Sequence, residues 1–264
     1  MRIASWNVNS IRARLEHLGE WLRKARPDVV CLQETKVEDD KFPREALGDA
    51  GYSVEIFGQK TYNGVAIAAR YGLAIEDVKK NLDGDEDDAM RRVIAATVEG
   101  VRIINVYVPN GQAVGTKPFA YKLAWFQRLE LELQTRYSPD MPLVVCGDFN
   151  VAPEPVDVHD PKKWEGQVLF SAEERAALKR LVAWGLVDSF RVHNPDAKGA
   201  FSWWDYRMGG YRKNHGLRID LALVTPPLLA RCKDAWIDRR PRELERPSDH
   251  APVLIDIDES QGRE

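Results

Sequence analysis

Short runs of branched apolar residues recur along the chain, and most are bounded by glycine, proline or charged residues. Runs of this kind predict β-strands, and the nearly continuous ones predict strands that are buried on both faces. The predicted strands are residues 2–6, 28–33, 52–57, 64–70, 92–98, 101–108, 143–146, 187–190, 201–204, 218–224, 232–237 and 253–257.

Apolar residues spaced three or four positions apart predict helices in other parts of the chain. The predicted helices are residues 11–22, a short helix that opens at Pro43, residues 119–133 and residues 172–184. Pro27 ends the first helix, and Ser171 with Glu174 forms a capping box before the last one. The Pro- and charge-rich stretch 152–167 has no clear period and is predicted to be a structured loop.

These elements alternate over the whole length without a Ser/Gly/Pro-rich linker or an internal repeat. Several strands follow one another directly, as in the hairpin predicted around Glu99 and Gly100, so antiparallel pairs must accompany the parallel ones. The pattern therefore predicts an α/β fold in which two mixed β-sheets pack face to face with helices outside. We expect a single domain over residues 1–258 and a frayed tail over residues 259–264.

Polar groups stand at the ends of several predicted strands. In the segment 143–150, Gly147 is predicted to let the backbone turn so that Asp148 and Asn150 leave the strand edge together. The other polar strand ends are Asn7, Gln33 with Glu34, and Asp249 with His250. A single Gly-Asp-x-Asn sequence is usually an Asx turn, but several polar strand ends in one chain favour a shared site at one edge of an open sheet.

Length and composition limit the class of protein. The chain has 264 residues, of which 44 % are apolar, so it can bury a substantial core. No run of about 18 apolar residues is present and the chain opens on a strand, so we expect no membrane span and a cytoplasmic location. The three cysteines lie in apolar, strand-like sequence, where reduced and buried thiols are expected.

The charge is unevenly distributed. A net charge of −3 argues weakly against a nucleic-acid partner, because affinity for a polyanion depends on lysine and arginine. However, the segment 83–88 contributes five carboxylates, whereas the segment 207–218 carries Arg207, Arg212, Lys213 and Arg218 without an acid. Carboxylates that hold a divalent metal would themselves lower the net charge.

The polar strand ends offer oxygen ligands, without thiolates or clustered imidazoles. Such a set selects a hard cation, Mg²⁺ or Mn²⁺, which favours substrate phosphate as a further partner. Phosphoester cleavage follows, with Asp148 able to deprotonate water and His250 able to donate to the phosphate or to transfer a proton. Each of these residues also has an ordinary structural explanation when it is considered alone. Asn7 could cap the backbone at a strand end, Tyr107 could be a core or rim aromatic residue, and Asp249-His250 could form a surface turn.

A second group of residues combines aromatic and basic side chains. Its aromatic members are Phe201, Trp203, Trp204 and Tyr206, and the basic segment 207–218 follows them. Aromatic side chains can wedge a helix or stack an unpaired nucleotide, while flanking cations hold the backbone. The alternative is that at least one of the two tryptophans belongs to the core.

Six segments resemble, in order, the motifs of the exonuclease III family of bacterial apurinic/apyrimidinic endonucleases, within the endonuclease/exonuclease/phosphatase superfamily. The segments are Trp-Asn-Val-Asn-Ser-Ile-Arg-Ala at 6–13, Leu-Gln-Glu-Thr-Lys at 32–36, Asn-Val-Tyr-Val-Pro-Asn-Gly at 105–111, Gly-Asp-Phe-Asn-Val-Ala-Pro at 147–153, Gly-Leu-Arg-Ile-Asp at 216–220 and Ser-Asp-His-Ala-Pro-Val at 248–253. The resemblance runs from Met1 to about Ile257. It implies a four-layer α/β sandwich and dependence on Mg²⁺, with Mn²⁺ able to substitute.

The activity that the resemblance implies is DNA repair. A monomer would cleave double-stranded DNA 5′ to abasic sites and leave a 3′-OH. It would also remove nucleotides as a 3′→5′ exodeoxyribonuclease and clean blocked 3′ ends as a phosphatase or phosphodiesterase.

The resemblance also implies roles for individual residues. Those that match metal ligands are Asn7, Glu34, Asp148, Asn150 and Asp249. Those that match catalytic groups are Tyr107, Asp148, Asn150, Asp220 and His250. Those that match DNA contacts are Lys36, Asn110, Trp203, Trp204, Arg207, Arg212, Lys213, Leu217 and Ile219. Within the last group, Trp203, Leu217 and Ile219 would line a pocket for a flipped-out abasic sugar.

Two other classes of function are compatible with this fold. A catalytically weak regulator that binds nucleic acid would be expected to have broken carboxylate motifs, and none is broken here. A superfamily phosphatase or lipid phosphodiesterase would be expected to have a leader peptide or an apolar loop in place of the basic segment 207–218, and the sequence has neither.

Overall fold

A computed structural model describes residues 1–84 and 90–258. Its strands are β1 (Arg2–Asn7), β2 (Val29–Gln33), β3 (Tyr52–Phe57), β4 (Val65–Arg70), β5 (Glu76–Lys80), β6 (Val93–Val98), β7 (Val101–Tyr107), β8 (Leu143–Asp148), β9 (Val187–Asp188), β10 (Trp203–Trp204), β11 (Gly216–Leu217), β12 (Asp220–Val224), β13 (Cys232–Ile237) and β14 (Val253–Ile257). Its α-helices are α1 (Leu15–Ala25), α2 (Arg44–Asp49), α3 (Lys117–Arg136), α4 (Pro161–Trp164), α5 (Ala172–Gly185), α6 (Ser189–His193), α7 (Gly210–Lys213) and α8 (Pro226–Leu229).

The strands form two six-stranded sheets and one two-stranded ladder. The first sheet has the order β13-β14-β1-β2-β4-β3, the second has the order β5-β6-β7-β8-β12-β9, and β10 pairs with β11. The pairs β1–β2 and β7–β8 are parallel, and a helix connects the two strands of each pair. The other named pairs within the two sheets are antiparallel. Both sheets are therefore mixed, as the strand pattern predicts.

Side chains that alternate along the central strands build the layers. In β2, Val29 and Cys31 face the core between the two sheets, whereas Val30 and Leu32 face α1 and α2. The corresponding alternation in β8 sends Val144 into the core between the sheets and its neighbours toward α3 and α5. Both faces of these strands are covered, which explains their continuous apolar sequence. The predicted four-layer α/β sandwich, with helices on the two outer faces, is confirmed.

Several predicted boundaries are wrong. The strand β5 is missing from the prediction because its residues are polar and mostly exposed at a sheet edge. The predicted strand 187–190 ends after Asp188, whose carboxylate accepts a hydrogen bond from the backbone of Arg191 and so caps α6. The segment 152–167 contains a 3₁₀ turn (Pro155–Asp157) and the short helix α4 rather than loop alone. The capping box before α5 is confirmed.

Two predictions fall outside the described residues. Most of the acidic segment 83–88 lies in the undescribed stretch 85–89, and the tail 259–264 is also undescribed. The assignment of residues 1–258 to one domain stays a prediction. Over the described residues, none of the helices is long and apolar enough to cross a membrane.

Candidate active site

The strand ends that the sequence singles out converge on one edge of the sandwich. Asp148 ends β8, where it pairs with Tyr107 of β7 on one side and with Asp220 of β12 on the other. Asn7 ends β1 in the first sheet, and its amide nitrogen lies 2.9 Å from the Asp148 carboxylate of the second sheet. The strand ends thus come together as the sequence predicts, but at a junction between the two sheets and not at the edge of one sheet.

The role of Gly147 in the structure differs from the predicted one, which was to let the backbone turn. The glycine lies inside β8, and its φ of 148° falls in a region that side chains rarely adopt. A Cβ here would collide with the backbone carbonyl of Val106 on β7. The glycine therefore allows β7 and β8 to approach closely before Asp148, instead of turning the chain after it.

Two carboxylates share one amide donor at the centre of the site. The Asn7 amide nitrogen donates to Glu34 Oε1 and Asp148 Oδ2, each at 2.9 Å. Lys36 Nζ lies 2.8 Å from Glu34 Oε2. Glu34 and Asp148 are thereby held together by positive and dipolar groups that offset their repulsion.

His250 forms a line with two aspartates. Its Nδ1 lies 2.9 Å from Asp220 Oδ2, and its Nε2 lies 3.7 Å from Asp148 Oδ2. Burial alone would lower the pKa of His250, but the carboxylates of Asp220 and Asp148 raise it to about 10. The imidazole is therefore a cation at neutral pH, with Nδ1 donating to Asp220 and Nε2 directed toward Asp148.

Asp148 is a buried carboxylate with an unusual proton affinity. Burial, and then the neighbouring Asp220 and Glu34, raise its pKa to about 7, although His250 and the amide of Asn7 act in the opposite direction. A carboxyl group with a pKa near neutrality can take up and release a proton under physiological conditions. This property is typical of a group that exchanges protons with a substrate or with water.

The phenol of Tyr107 is held at the same edge by Arg92. The Arg92 guanidinium lies 4.7 Å from the centre of the Tyr107 ring, and Arg92 Nη1 donates to the Tyr107 carbonyl. Burial, together with the charges of Glu34 and Asp148, raises the pKa of Tyr107 well above its usual range. Tyr107 is therefore a proton donor and not a phenolate at neutral pH.

Asn150 lies beside Asp148 in an interlocked amide pair. Its backbone N–H donates to Asp148 Oδ1 at 2.9 Å, its side-chain amide donates to the Val108 carbonyl, and its Oδ1 accepts from Asn110. Lys122 lies beneath this pair, and its ammonium group donates to the backbone carbonyls of Asn110 and Asn150. Lys122 thus anchors the backbone of Asn110 and Asn150 from inside the protein.

Asp249 lies at the side of this cluster. Its carboxylate accepts a hydrogen bond of 2.9 Å from Asn9 and one of 3.0 Å from the Trp203 indole. Burial would raise the pKa of Asp249, but His250 and these two hydrogen bonds hold it below its usual value. Asp249 is therefore ionised at neutral pH.

The backbone at this edge is unusual. Asn9, Glu34, Lys36 and Asn150 all have φ between 45° and 54°, in the left-handed region that most side chains avoid. Such conformations cost free energy and are concentrated at functional sites. At this edge they lie in the three loops that follow β1, β2 and β8.

The side-chain amides of Asn7 and Asn150, whose metal ligation stays a prediction, form hydrogen bonds within the protein. The amide nitrogen of Asn7, not its carbonyl oxygen, faces Glu34 and Asp148, and its Oδ1 accepts from the backbone of Asn9. Both side-chain polar atoms of Asn150 are engaged with Val108 and Asn110.

Among the described residues, the group of acidic and imidazole side chains close enough to share an ion is Glu34, Asp148 and His250. Their candidate ligand atoms all lie within 4.8 Å of one another. Because His250 is protonated, the ligand atoms that remain are carboxylate oxygens, which suit a hard divalent cation. Asp249, predicted as a ligand, is not part of this group.

The predicted DNA contacts divide into exposed and buried residues. Three of them border the cluster and are partly or fully exposed: Lys36, Asn110 and Trp203. Three more follow Trp203 in the sequence and are exposed: Arg207, Arg212 and Lys213. By contrast, Trp204 and Leu217 have no exposed surface and Ile219 is 1 % exposed. Trp204 is a core residue that packs edge-on against Tyr211 at 5.0 Å, so its predicted contact with DNA is wrong.

Leu217 and Ile219 are similarly covered. They belong to a buried cluster with Phe170, and the partly exposed side chains of Trp164, Val168 and Trp203 pack against its margin. These two side chains pack beneath Trp203 and have almost no solvent-exposed surface. Their predicted role as pocket lining is therefore corrected to one of support for Trp203.

Arg218 does not share the exposure of the other cations in the basic segment 207–218. It is 1 % exposed, and its guanidinium bonds to Asp157 at 2.7 Å and to Asp188 at 2.7 Å. The two carboxylates lie far from Arg218 in sequence. Its charge is therefore neutralised within the fold and is not available to a polyanion.

Four residues of the site are not singled out by the sequence pattern. Asn9 links Asp249 to Lys36, and Arg14 donates to the backbone carbonyls of Asn9 and Pro247. Arg92 and Lys122 are buried cations that look like ordinary surface charges in the sequence. Lys122 could have been identified from the sequence, because it occupies an apolar position of a predicted helix, between Phe119 and Trp125.

Comparisons with known proteins agree with this geometry. Residues 4–250 match the sequence profile of the endonuclease/exonuclease/phosphatase family. The chain is 38 % identical to exodeoxyribonuclease III of Haemophilus influenzae, over 97 % of this chain and 100 % of the relative. Two solved structures are similar over 98 % of this chain and 99 % of their own. One is the 3′ phosphatase NExo from Neisseria bound to a product DNA hairpin (44 % identity, TM-score 0.93), and the other is an AP endonuclease from Archaeoglobus fulgidus (42 % identity, TM-score 0.94).

Proposed function

This chain belongs to the endonuclease/exonuclease/phosphatase family, and we propose that it is a Mg²⁺-dependent DNA repair nuclease. Its substrates are double-stranded DNA with abasic sites, which it cuts on the 5′ side to leave a 3′-OH, and DNA with blocked 3′ ends. It also acts as a 3′→5′ exodeoxyribonuclease. The cytoplasmic location and the monomeric state stay predictions from the sequence.

One observation carries this proposal. A buried carboxylate with a pKa of about 7, Asp148, lies 3.7 Å from a histidine whose pKa is about 10. A proton acceptor and a cation side by side are what hydrolysis of an anionic ester needs, because one activates water and the other stabilises negative charge. The exposed basic residues nearby suit a polyanionic substrate better than a small neutral one.

The donor set fits a divalent cation. Glu34 and Asp148 would hold the ion, and Mg²⁺ is favoured because the available ligands are oxygen atoms. When bound, the ion supplies charge stabilisation to a phosphate oxygen. Mn²⁺, which accepts the same ligands, would substitute.

The residues of the chain divide the chemistry among them. Asp148 takes the proton of the attacking water, and its ionised form, favoured by His250 and by a bound cation, is the form that accepts a proton. His250, held by Asp220 as a cation, donates to the scissile phosphate. Tyr107 keeps its proton and donates a hydrogen bond, while Asn150 orients Asp148 through its backbone N–H.

Discrimination for an abasic site is assigned to Trp203. Its ring is partly exposed and its indole N–H is fixed on Asp249, so the flat face has a defined orientation at the margin of the site. A sugar without a base has already lost its pairing and can enter a narrow site, whereas an intact nucleotide must be unstacked and accommodated.

Removal of metal should abolish activity. EDTA should reduce cleavage of an abasic duplex by at least ~10²-fold, because a metal commonly supplies several kcal/mol of transition-state stabilisation. Glu34→Ala should weaken Mg²⁺ binding in calorimetry while the melting temperature holds, because it removes one acid from a carboxylate cluster. Undiminished cleavage in excess EDTA would contradict the assignment.

Replacement of Trp203 should reduce substrate discrimination. Trp203→Ala should lower the preference for abasic over intact duplex by about tenfold, because it widens the site and a contact of this size in an apolar pocket is worth ~1–3 kcal/mol. Trp203→Phe keeps a ring but loses the bond to Asp249, and so it separates the bulk of the ring from its positioning. As a matched comparison, Arg212→Ala with Lys213→Ala should weaken both duplexes alike and flatten the salt dependence. Unchanged discrimination in Trp203→Ala would place the reading of the abasic sugar elsewhere.

A regulator that only binds nucleic acid is the alternative function. It would not need a proton acceptor and a cation brought together at the site, and it would bind abasic duplex without cutting it. Product analysis on a duplex with one abasic site, with Mg²⁺ and then with EDTA, distinguishes the two functions.

A further inference from the structure

A second concave surface lies next to the active site. It is a cleft of about 620 Å³, and we call it the lysine–histidine cleft. Its charged and imidazole lining consists of His159, Asp160, Lys163, Lys198, Lys213 and His215. Of these, only Lys213 belongs to the DNA contacts that the sequence predicts.

A ladder of backbone pairs connects the cleft to the active site. His250 bridges to Trp203, Trp203 pairs with Leu217, and Leu217 bridges to Val158, which precedes His159. Three strand spacings of about 4.8 Å place the two backbone ends of this ladder roughly 14 Å apart. One strand of DNA rises about 3.4 Å per phosphate, so this separation corresponds to about four nucleotides of rise.

The cleft carries excess positive charge. Among the described residues, none of its three lysines has a carboxylate partner within salt-bridge distance, whereas Lys24 and Lys233 on other surfaces pair with Glu20 and Asp258. The single acid of the cleft, Asp160, is used as the cap of α4, where it accepts from the backbone of Lys163. Three ammonium groups therefore surround a space with one carboxylate.

The two imidazoles are ordered. The rings of His159 and His215 are stacked, with centres 4.8 Å apart and planes 9° from parallel. His159 Nδ1 lies 3.2 Å from the Gly216 carbonyl and so carries the proton in this contact. Burial, opposed by that hydrogen bond and reinforced by His215, lowers the pKa of His159. The positive charge of the cleft therefore comes from the lysines and not from His159, and a bound anion would favour protonation of His159.

We propose that the lysine–histidine cleft binds a backbone phosphate of the same DNA whose scissile phosphate lies at Asp148 and His250. This assignment rests on the proposed function. It makes the cleft an anchor that holds the duplex in register on the far side of Trp203 from the reacting bond. An isolated phosphate has the same chemistry, so the test must distinguish it from a phosphate carried by DNA.

The test removes two lysines that lie outside the predicted DNA segment. Lys163→Ala with Lys198→Ala, in the full chain, is titrated with an abasic duplex in EDTA over a series of KCl concentrations. We expect about tenfold weaker binding at low salt and a salt slope smaller by about 0.9 for each phosphate that the protein no longer neutralises. Lys24→Ala with Lys233→Ala removes the same charge from other surfaces and should bind like the wild type.

Duplexes shortened one nucleotide at a time on each side of the abasic site locate the contact. Wild-type affinity should drop at one particular length on one side, and the cleft variant should show no such drop. Equal losses for both proteins at every length, or a cleft variant that binds like the control, would overturn the assignment. The variant could instead lose affinity for inorganic phosphate while its binding of the duplex is unchanged. That result would assign the cleft to a free phosphate and would also overturn the proposal.

These outcomes separate the two proposals. If the wild-type protein neither binds nor cuts the duplex, the proposed function fails and this assignment with it. If the wild type cuts and the cleft variant matches it in affinity and salt slope, this assignment alone fails.

Discussion

Asp148→Asn should lower turnover on an abasic duplex by at least ~10²-fold, the effect typical of general-base loss. The substitution preserves the shape of the side chain but removes the group that we propose takes the proton from water. It also places an amide where Asp148 now accepts from both Asn7 and Asn150, so one of those donors loses its partner. DNA affinity should hold or rise, because a negative charge leaves a site that faces phosphates.

Stability provides the internal control for this variant. Asp148 is buried beside Asp220 and Glu34, and the loss of one of three neighbouring acids relieves repulsion, so the melting temperature should hold or increase. Asp234→Asn makes the same chemical change on the exposed strand β13 and should leave turnover unchanged. Single-turnover rates within about tenfold of the wild type would show that the carboxylate is not in the chemical step.

The convergence of Asn7, Glu34 and Asp148 could be predicted from the sequence because it is a property of strand ends. A buried strand is recognisable from its composition, and the residue that follows it must emerge at the edge of the sheet. No knowledge of side-chain packing is needed for that inference. The prediction therefore depends only on the backbone, which the apolar pattern specifies well.

Exposure could not be predicted in the same way. Trp204 and Leu217 are buried on a two-stranded ladder in which Trp203 is partly exposed, and the sequence does not reveal which of these side chains reach solvent. Arg218 looks like a surface cation until the fold brings Asp157 and Asp188 to it. Long-range partners of this kind depend on tertiary packing, which a local pattern does not contain.

Hydrogen-bond orientation is a further limit. The sequence places Asn7 and Asn150 at the site, but an amide can present either its oxygen or its nitrogen. The neighbours decide which one: two carboxylates accept from the amide nitrogen of Asn7, and the Val108 carbonyl accepts from that of Asn150. Residue type alone thus identified members of the site but not what each one contributes.

Lys122→Met should destabilise the protein by ~3–5 kcal/mol, the cost of leaving one member of a buried ion pair unpartnered. The Lys122 side chain is fully buried, and its ammonium group bonds to the equally buried carboxylate of Glu174. Glu174 in turn accepts from Ser171 and from the backbone of Leu169, so its charge stays in place when the lysine is removed. Chemical denaturation with an unchanged m-value would measure the loss.

The same substitution should also lower kcat, and the double variant Lys122→Met with Glu174→Gln separates this effect from stability. The second change removes the unpaired buried charge, so part of the lost stability should return. The backbone carbonyls of Asn110 and Asn150 still lack their ammonium donor, however, and the two loops that carry these residues are no longer tied together. A displacement of about 1 Å at a catalytic group can cost ~10²-fold, so we expect kcat to stay ~10- to 10²-fold below the wild type while KM changes little. Recovery of kcat in step with stability would instead show that Lys122 supports only the fold.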